Sequence, residues 1–323
     1  MEHMEILYNK SMLKHNVGSD TEGPYRIEKL SSLVADSKPS VDGEKFLTLV
    51  HKYSYLEKIK TNCEKGIRMG GVATNIDTYS SACLAVGLAI DAANNGDFAA
   101  IRPPGHHATN IKEMGYCFFN NMAIAVTHLL DEGNRVLVMD FDGHHGNGTQ
   151  EILVQQKNKD NVLYFSITQE DSWPHTVKAP TIVAIDGSVM AINMLIPKKG
   201  GDDVLAETMK LARSAAESFK PDVIGCSAGF DGYKEDKLLE LQYTERGFYE
   251  IGRILNSLGK KVFGVLEGGY HNKVVECIQN FVLGVEGKDC EFNDVSSISE
   301  PDVRCNFDKN IKMIRNSMPS RST

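Results

Sequence analysis

Residues 135–150, RVLVMDFDGHHGNGTQ, constrain the fold of this chain more than any other stretch. The segment opens on a mostly apolar, β-branched run, which predicts a fully buried strand. That run leads into Asp140, Asp142, His144 and His145 before Gly146 and Gly148 break the pattern. Polar groups so placed sit at the carboxyl end of a strand, where the loops of an open parallel α/β sheet form a ligand crevice. The spacing Asp142-x-His144 aims a carboxylate and an imidazole at one point, a pair suited to Zn²⁺ or another divalent metal. Alone, the motif is common, and a turn of hydrogen-bonded polar residues is its more frequent meaning.

The arrangement recurs along the chain. Strands are expected at 5–8, 98–101, 135–139, 162–167, 190–196, 222–227 and 261–266. Helices are expected after Pro24, in the segment up to about residue 66, at 78–94 after the Gly70 and Gly71 break, at 122–130, from Thr149, at 203–219 and at 241–258. Pro103, Pro104 and Gly105 stop any regular element, which leaves His106 and His107 on a strand-end loop. Asp231 in AGFDG and Tyr270 in EGGYH stand at two further strand ends. Alternating strands and helices imply an α/β chain: one domain built on an open, mainly parallel sheet with helices on both faces, whose strand ends converge. Residues 1–290 are assigned to that domain and 291–323 to a polar, irregular tail, disordered from about residue 317.

Composition narrows the function. A net charge of −8 and a pI near 5.7 speak against direct nucleic-acid binding and are compatible with a cationic substrate. No apolar run approaches a membrane span, and the opening MEHMEILYNK lacks a signal-peptide pattern. The seven cysteines contain no C-x-x-C, and their odd number fits reduced thiols and a cytoplasmic location.

Asp142, His144 and Asp231 together offer three metal ligands and leave coordination positions for water and substrate, as a catalytic site requires. Such a metal would acidify a water and polarise a carbonyl. His106 and His107 are placed to handle protons, and Tyr270 to donate a hydrogen bond to a developing oxyanion. This chemistry is amide hydrolysis.

The blocks RPPGHHA, MGYCFFNN, DFDGHHGNGTQ, SAGFDGYKED and EGGYH, with Glu22-x-Pro24-x-Arg26 ahead of them, resemble the histone deacetylase superfamily in order and content. The likeness is to its class II-like branch, shared with bacterial and archaeal deacetylases and acetylpolyamine amidohydrolases, and it implies the arginase/deacetylase fold. Carried over residue by residue, it implies that Asp142, His144 and Asp231 bind Zn²⁺, or Fe²⁺ in the cell. It makes His107 the general base, His106 its electrostatic partner and Tyr270 the oxyanion donor, with Asp140 holding His106 and Asn147 holding His107. Class I members carry aspartate where Asn147 stands; a neutral amide stabilises an imidazolium less, so His107 is more easily kept neutral. A structural K⁺ is implied at Asp140, Asp142, His144 and Ser166. Gly115, Tyr116, Trp173 and Leu238 are implied as the acyl-lysine tunnel, whose aromatic faces grip a methylene chain. His145 matches the motif without being a ligand, whereas His128, His175 and His271 have no motif support and are taken as structural or surface residues.

Three departures from the family pattern surround the site. Gly143 replaces a larger residue between two ligands, Thr168 and His175 stand where relatives commonly have histidine and glycine, and KAPTIVAIDGSVM lacks the usual glycine cluster. Glu113, Glu170 and Asp171 are candidates for an acidic rim, with solvated surface charge the commoner reading. A two-manganese ureohydrolase site is disfavoured, because Gly146 and Tyr233 stand where that chemistry needs aspartates. The expected activity is removal of an acyl group, in the first place acetyl, from protein lysine side chains. The alternatives are small acylated amines such as acetylpolyamines, and a catalytically silent protein that binds acylated ligands.

Overall fold

A computed structural model describes residues 3–69, 72–292 and 295–317. Its strands are β1 (Ile6–Leu7), β2 (Phe98–Ala99), β3 (Val136–Asp140), β4 (Val162–Gln169), β5 (Thr181–Ile185), β6 (Ser188–Ile196), β7 (Val223–Ala228) and β8 (Lys261–Leu266). Among the described residues they form one sheet in the order β1-β2-β8-β7-β3-β4-β6-β5, parallel throughout except where β5 meets β6. Every residue of β3, VLVMD, is buried, as a central strand covered on both faces requires.

Parallel neighbours need long crossovers, and helices supply them. They are α1 (Tyr25–Glu28), α2 (Tyr53–Glu64), α3 (Thr78–Asn95), α4 (Asn121–Asp131), α5 (Asn147–Leu153), α6 (Asp202–Phe219), α7 (Glu245–Asn256), α8 (Val274–Glu286) and α9 (Pro301–Ser317). The side chains of α3 and α4 are buried over most of their length, which explains the alanine-rich, weakly patterned sequence of α3. Because β2, β8, β7, β3 and β4 are parallel and adjacent, the loops leaving their carboxyl ends lie side by side.

The structure departs from the expected elements in four places. Residues 181–185 pair antiparallel with β6 as a hairpin, where the sequence reading places no element. The helix expected over 241–258 begins at Glu245, since the backbone before it is committed elsewhere: Gln242 N donates to Gly200 O at 2.9 Å and Tyr243 N to Gly232 O at 3.0 Å. Residues 274–286, unassigned from sequence, form α8. The irregular tail is corrected over Pro301–Ser317, where α9 buries Val303, Phe307, Asn310, Ile311 and Ile314 at helical spacing. The Gly70 and Gly71 break and the disorder expected in 318–323 lie outside the described residues. Among the described residues no helix is long and apolar enough to cross a membrane.

Candidate active site

The loop after β3 and the loop after β7 bring Asp142, His144 and Asp231 together, all buried, with one ligand atom of each within 4.8 Å of the others. His144 Nδ1 lies 2.6 Å from Asp231 Oδ2 and 3.3 Å from Asp142 Oδ1. Backbone N–H groups orient both carboxylates: Gly143 N donates to Asp231 Oδ1 and Gly268 N to Asp142 Oδ2, each at 2.7 Å. Asp140, Asp142, Asp231 and Glu267 are all buried, and the cationic side chains within ion-pair distance of their carboxylates, among the described residues, are His106 and His144. Burial, then the charge of Asp142, pushes Asp231 up to about 7. Burial opposes a charge on His144, yet Asp231 and Asp142 raise it to about 10. Acid crowded into low dielectric takes up protons or a cation. Two carboxylates and an imidazole converging on one point fit a divalent cation of the zinc type.

The histidine pair sits beside this cluster with rings 4.0 Å apart. His106 Nδ1 is 3.3 Å from Asp140 Oδ2, and its Nε2 is 3.8 Å from Asp142 Oδ2. Burial works against the His106 charge, but Asp142 and Asp140 raise its pKa to about 10. His107 is the opposite case: burial, then the neighbouring His106 cation, holds it well below 6.5. Its Nδ1 is 2.9 Å from Asn147 Oδ1, so a neutral imidazole donates there and keeps the Nε2 lone pair. Tyr270 is nearly buried on the loop after β8, and burial pushes its hydroxyl pKa well above 10, so it stays a proton-bearing donor.

A cavity of about 560 Å³ opens onto these groups. Gly115, Tyr116, Trp173 and Leu238 line it together with His107, His144 and Tyr270. The Trp173 ring stands edge to face with His107 at 4.7 Å, and Tyr116 faces Tyr270 at 5.9 Å. Gly115 has φ +56°, and a Cβ there would lie 2.4 Å from His107 Cδ2 and 2.8 Å from the Trp173 ring, so only glycine fits. Ser166 pairs in register with Asp140 across β3 and β4, and its hydroxyl is 2.7 Å from Thr168 Oγ1.

The histone deacetylase domain matches residues 21–285. The chain belongs to the histone deacetylase family. A probable deacetylase of Archaeoglobus fulgidus is 34% identical over 272 residues, covering 78% of this chain and 73% of that protein. Two crystal structures share the fold, each at 24% identity. The HD domain of HDA15 has a TM-score of 0.85 over 98% of this chain and 96% of its own. The acetylpolyamine aminohydrolase from Burkholderia pseudomallei has a TM-score of 0.77 over 87% of this chain and 98% of its own.

Within this deacetylase framework, the departures acquire physical reasons. A Cβ on Gly143 would lie 2.2 Å from Leu239 Cδ1, so Leu239 fills the space that a larger residue takes elsewhere. Thr168 completes a hydroxyl pair with Ser166 inside β4. Of the three acids considered for the rim, Asp171 alone lines the cavity. Glu113 is buried and holds Lys58 at 2.9 Å, and Glu170 bonds Asn310. The mouth instead includes His175, taken from sequence as structural or surface, and the pair Lys198–Glu240 at 2.7 Å.

Sequence reasoning gave no role to four supports, of which it had singled out Arg26 alone as a motif residue. Glu267 Oε2 accepts from Gly105 N at 2.7 Å and His106 N at 3.0 Å, fastening the histidine loop. Asp236 accepts from Tyr270 N at 2.6 Å and Leu238 N at 2.8 Å, joining the proposed donor to the cavity edge. The Tyr164 hydroxyl donates to Asp140 Oδ2 at 2.8 Å. Arg26 donates through Nε to Gly269 O at 2.6 Å and through Nη2 to Glu267 O. Glu267 and Asp236 were signalled only by standing in the EGGYH and SAGFDGYKED blocks.

Proposed function

We propose that the protein is a metal-dependent amide hydrolase that removes an acyl group, acetyl in the first place, from lysine side chains. The observation that carries this reading is the meeting, at one cavity, of the buried Asp142–His144–Asp231 cluster, a neutral His107 and a protonated Tyr270. A divalent cation held by that cluster, Zn²⁺ or in the cell Fe²⁺, supplies Lewis-acid polarisation of the acyl carbonyl and acidifies water. His107 accepts the proton of the attacking water through Nε2, while Asn147 holds its other nitrogen. Tyr270 donates its hydroxyl hydrogen bond to the carbonyl oxygen as charge develops there. His106, kept charged by Asp142 and Asp140, keeps His107 neutral before the reaction. Tyr116 and Trp173, with Gly115 and Leu238, enclose the methylene chain. K⁺ at Asp140, Asp142, His144 and Ser166 belongs to the same reading, which the excess of buried carboxylates supports.

Small acylated amines are the second reading. Asp171 at the mouth favours a cationic carrier, Glu240 being paired with Lys198, and an acetylpolyamine aminohydrolase shares the fold. We assign the protein to the cytoplasm on the odd number and scattered spacing of its seven cysteines, which suit reduced thiols. The deciding experiment measures amine release by Zn²⁺-loaded protein from acyl-lysine peptides and from acetylpolyamines, with Tyr270→Phe as control. Faster release from peptides supports a protein deacylase, and faster release from polyamines a metabolic amidohydrolase. Silence on both classes would leave a protein that binds acylated ligands without cleaving them.

A further inference from the structure

α9 lies beyond the matched residues 21–285, yet one of its side chains reaches the loop after β4, whose next residues line the cavity. Asn310 is buried, and its Nδ2 donates to Leu195 O at 3.0 Å and to Glu170 Oε1 at 2.5 Å. Glu170 directly follows β4 and opens the short loop to Trp173; its own N donates to Ile196 O at 2.8 Å. Among the described residues Glu170 has no ion-pair partner, so the Asn310 amide is what fastens its side chain. A second fastening lies on the other side of the loop. Gln169 N donates to Gly143 O at 2.9 Å, and the Ser172 hydroxyl reaches the same carbonyl at 3.3 Å. Between the two fastenings Asp171 adopts φ +55°, a backbone state that a non-glycine residue keeps when its surroundings hold it.

α9 is itself firmly seated. Its buried Phe307, Ile311 and Ile314 belong to the main core, and the helix packs on β5 and β6. Arg304 pairs with Glu207 and Arg315 reaches Glu207 at 3.2 Å, which ties α9 to α6. Asn310 therefore presents its amide from a fixed point. We propose that Asn310 and Glu170 are positioning residues for Trp173, so that the C-terminal helix sets one wall of the substrate cavity. The kinetic consequence rests on the hydrolase reading; the placement of Trp173 does not.

Trp173 is the sole tryptophan of the chain, so its emission and its quenching by acrylamide report on this wall without substrate. Asn310→Ala and Glu170→Ala are expected to raise the quenching constant about twofold under conditions where far-ultraviolet circular dichroism is unchanged. Against acyl-lysine peptides the same variants raise KM about threefold to tenfold with kcat nearly constant, the signature of lost positioning of bound substrate. Glu170→Gln keeps an oxygen acceptor for Asn310 and behaves as wild type. The double Ala variant is no worse than either single one, as expected for two ends of one contact. Ile278→Ala in α8, a core residue outside α9 and the loop, lowers Tm without moving Trp173. Should Asn310→Ala fold poorly, Glu170→Ala removes the same contact and leaves the core of the helix intact. Unchanged quenching in folded Glu170→Ala overturns the proposal, and so does an equal change in Ile278→Ala. Absence of turnover on every substrate, with the quenching change present, overturns the hydrolase reading and leaves the positioning role standing.

Discussion

Two clusters of buried charge support the same strand-end loops, one around Glu22 and the other around Asp142. Glu22 receives Arg102 Nε at 2.6 Å and Nη2 at 2.8 Å on its two oxygens, and Arg26 Nη1 at 3.2 Å. The remaining guanidinium donors go to backbone carbonyls, among them Gly269 and His15. That cluster is closed in charge, although His15 and Glu22 border a cavity of about 240 Å³: its cations outnumber its acid, and each guanidinium nitrogen has an acceptor. The cluster around Asp142 gathers Asp140, Asp142, Asp231 and Glu267 with, among the described residues, only histidines as cations within ion-pair distance of their carboxylates, and it faces a cavity. A closed cluster holds the chain in shape, here by clamping Gly269 beside Tyr270. An acid-rich cluster at a cavity has capacity left for a cation and for moving protons.

The sharpest way to break this contrast is Asp231→Ala. It is expected to abolish turnover and to bring bound metal, measured by elemental analysis, from stoichiometric to near zero; full occupancy would mean that the open cluster is not the ligand set. Tyr270→Phe comes next, with turnover falling by roughly 10²–10³ while metal content stays unchanged, because one oxyanion donor is lost and no ligand is. Near wild-type turnover in that variant would remove Tyr270 from the chemistry.

The closed cluster is expected to fail through stability instead. Glu22→Gln leaves two buried guanidinium groups without their carboxylate, at a cost of ~3–5 kcal/mol read from urea unfolding. A loss below about 1 kcal/mol would show that the arginines find other partners. The smallest effect is in acid. Burial opposes ionisation of Glu22, yet Arg102 holds it at about 2, below its ordinary 4.5. Burial pushes His15 down to about 4 from 6.5. In both cases the unfolded chain takes up the proton first. The stability is therefore complete at neutral pH and is lost on acidification, through His15 between about 6.5 and 4 and through Glu22 between about 4.5 and 2. Unfolding midpoints measured across these windows should fall stepwise, and Glu22→Gln should flatten the lower step. No difference in slope between wild type and His15→Gln from pH 6.5 to pH 4 would contradict the buried, neutral His15.

The site was legible where chemistry forces residue type and spacing to be local. Asp142-x-His144 and His106-His107 sit within single loops, so their composition alone marked them, and the strand preceding each was readable from an apolar run with a glycine or proline stop. The supports were not legible. Glu267, Asp236 and Tyr164 act on partners 162, 34 and 24 residues away in the chain, and no spacing rule connects such positions. At Gly143 the sequence shows only a smaller residue between two ligands, whereas the structure fills the space with Leu239. α9 escaped because its apolar positions, 303, 307, 311 and 314, are diluted by charged neighbours and follow an irregular polar stretch.

The sequence by itself determined that this chain forms a mainly parallel α/β sheet and which side chains stand at its strand ends, because periodicity and turn residues are written locally along the chain. Tertiary structure alone decided how those ends are joined into a site. It decided which carboxylates share low dielectric, which histidine is charged and which neutral, and which distant helix holds the cavity wall. Burial and long-range hydrogen bonds set those properties, and both exist only once strands remote in sequence lie side by side.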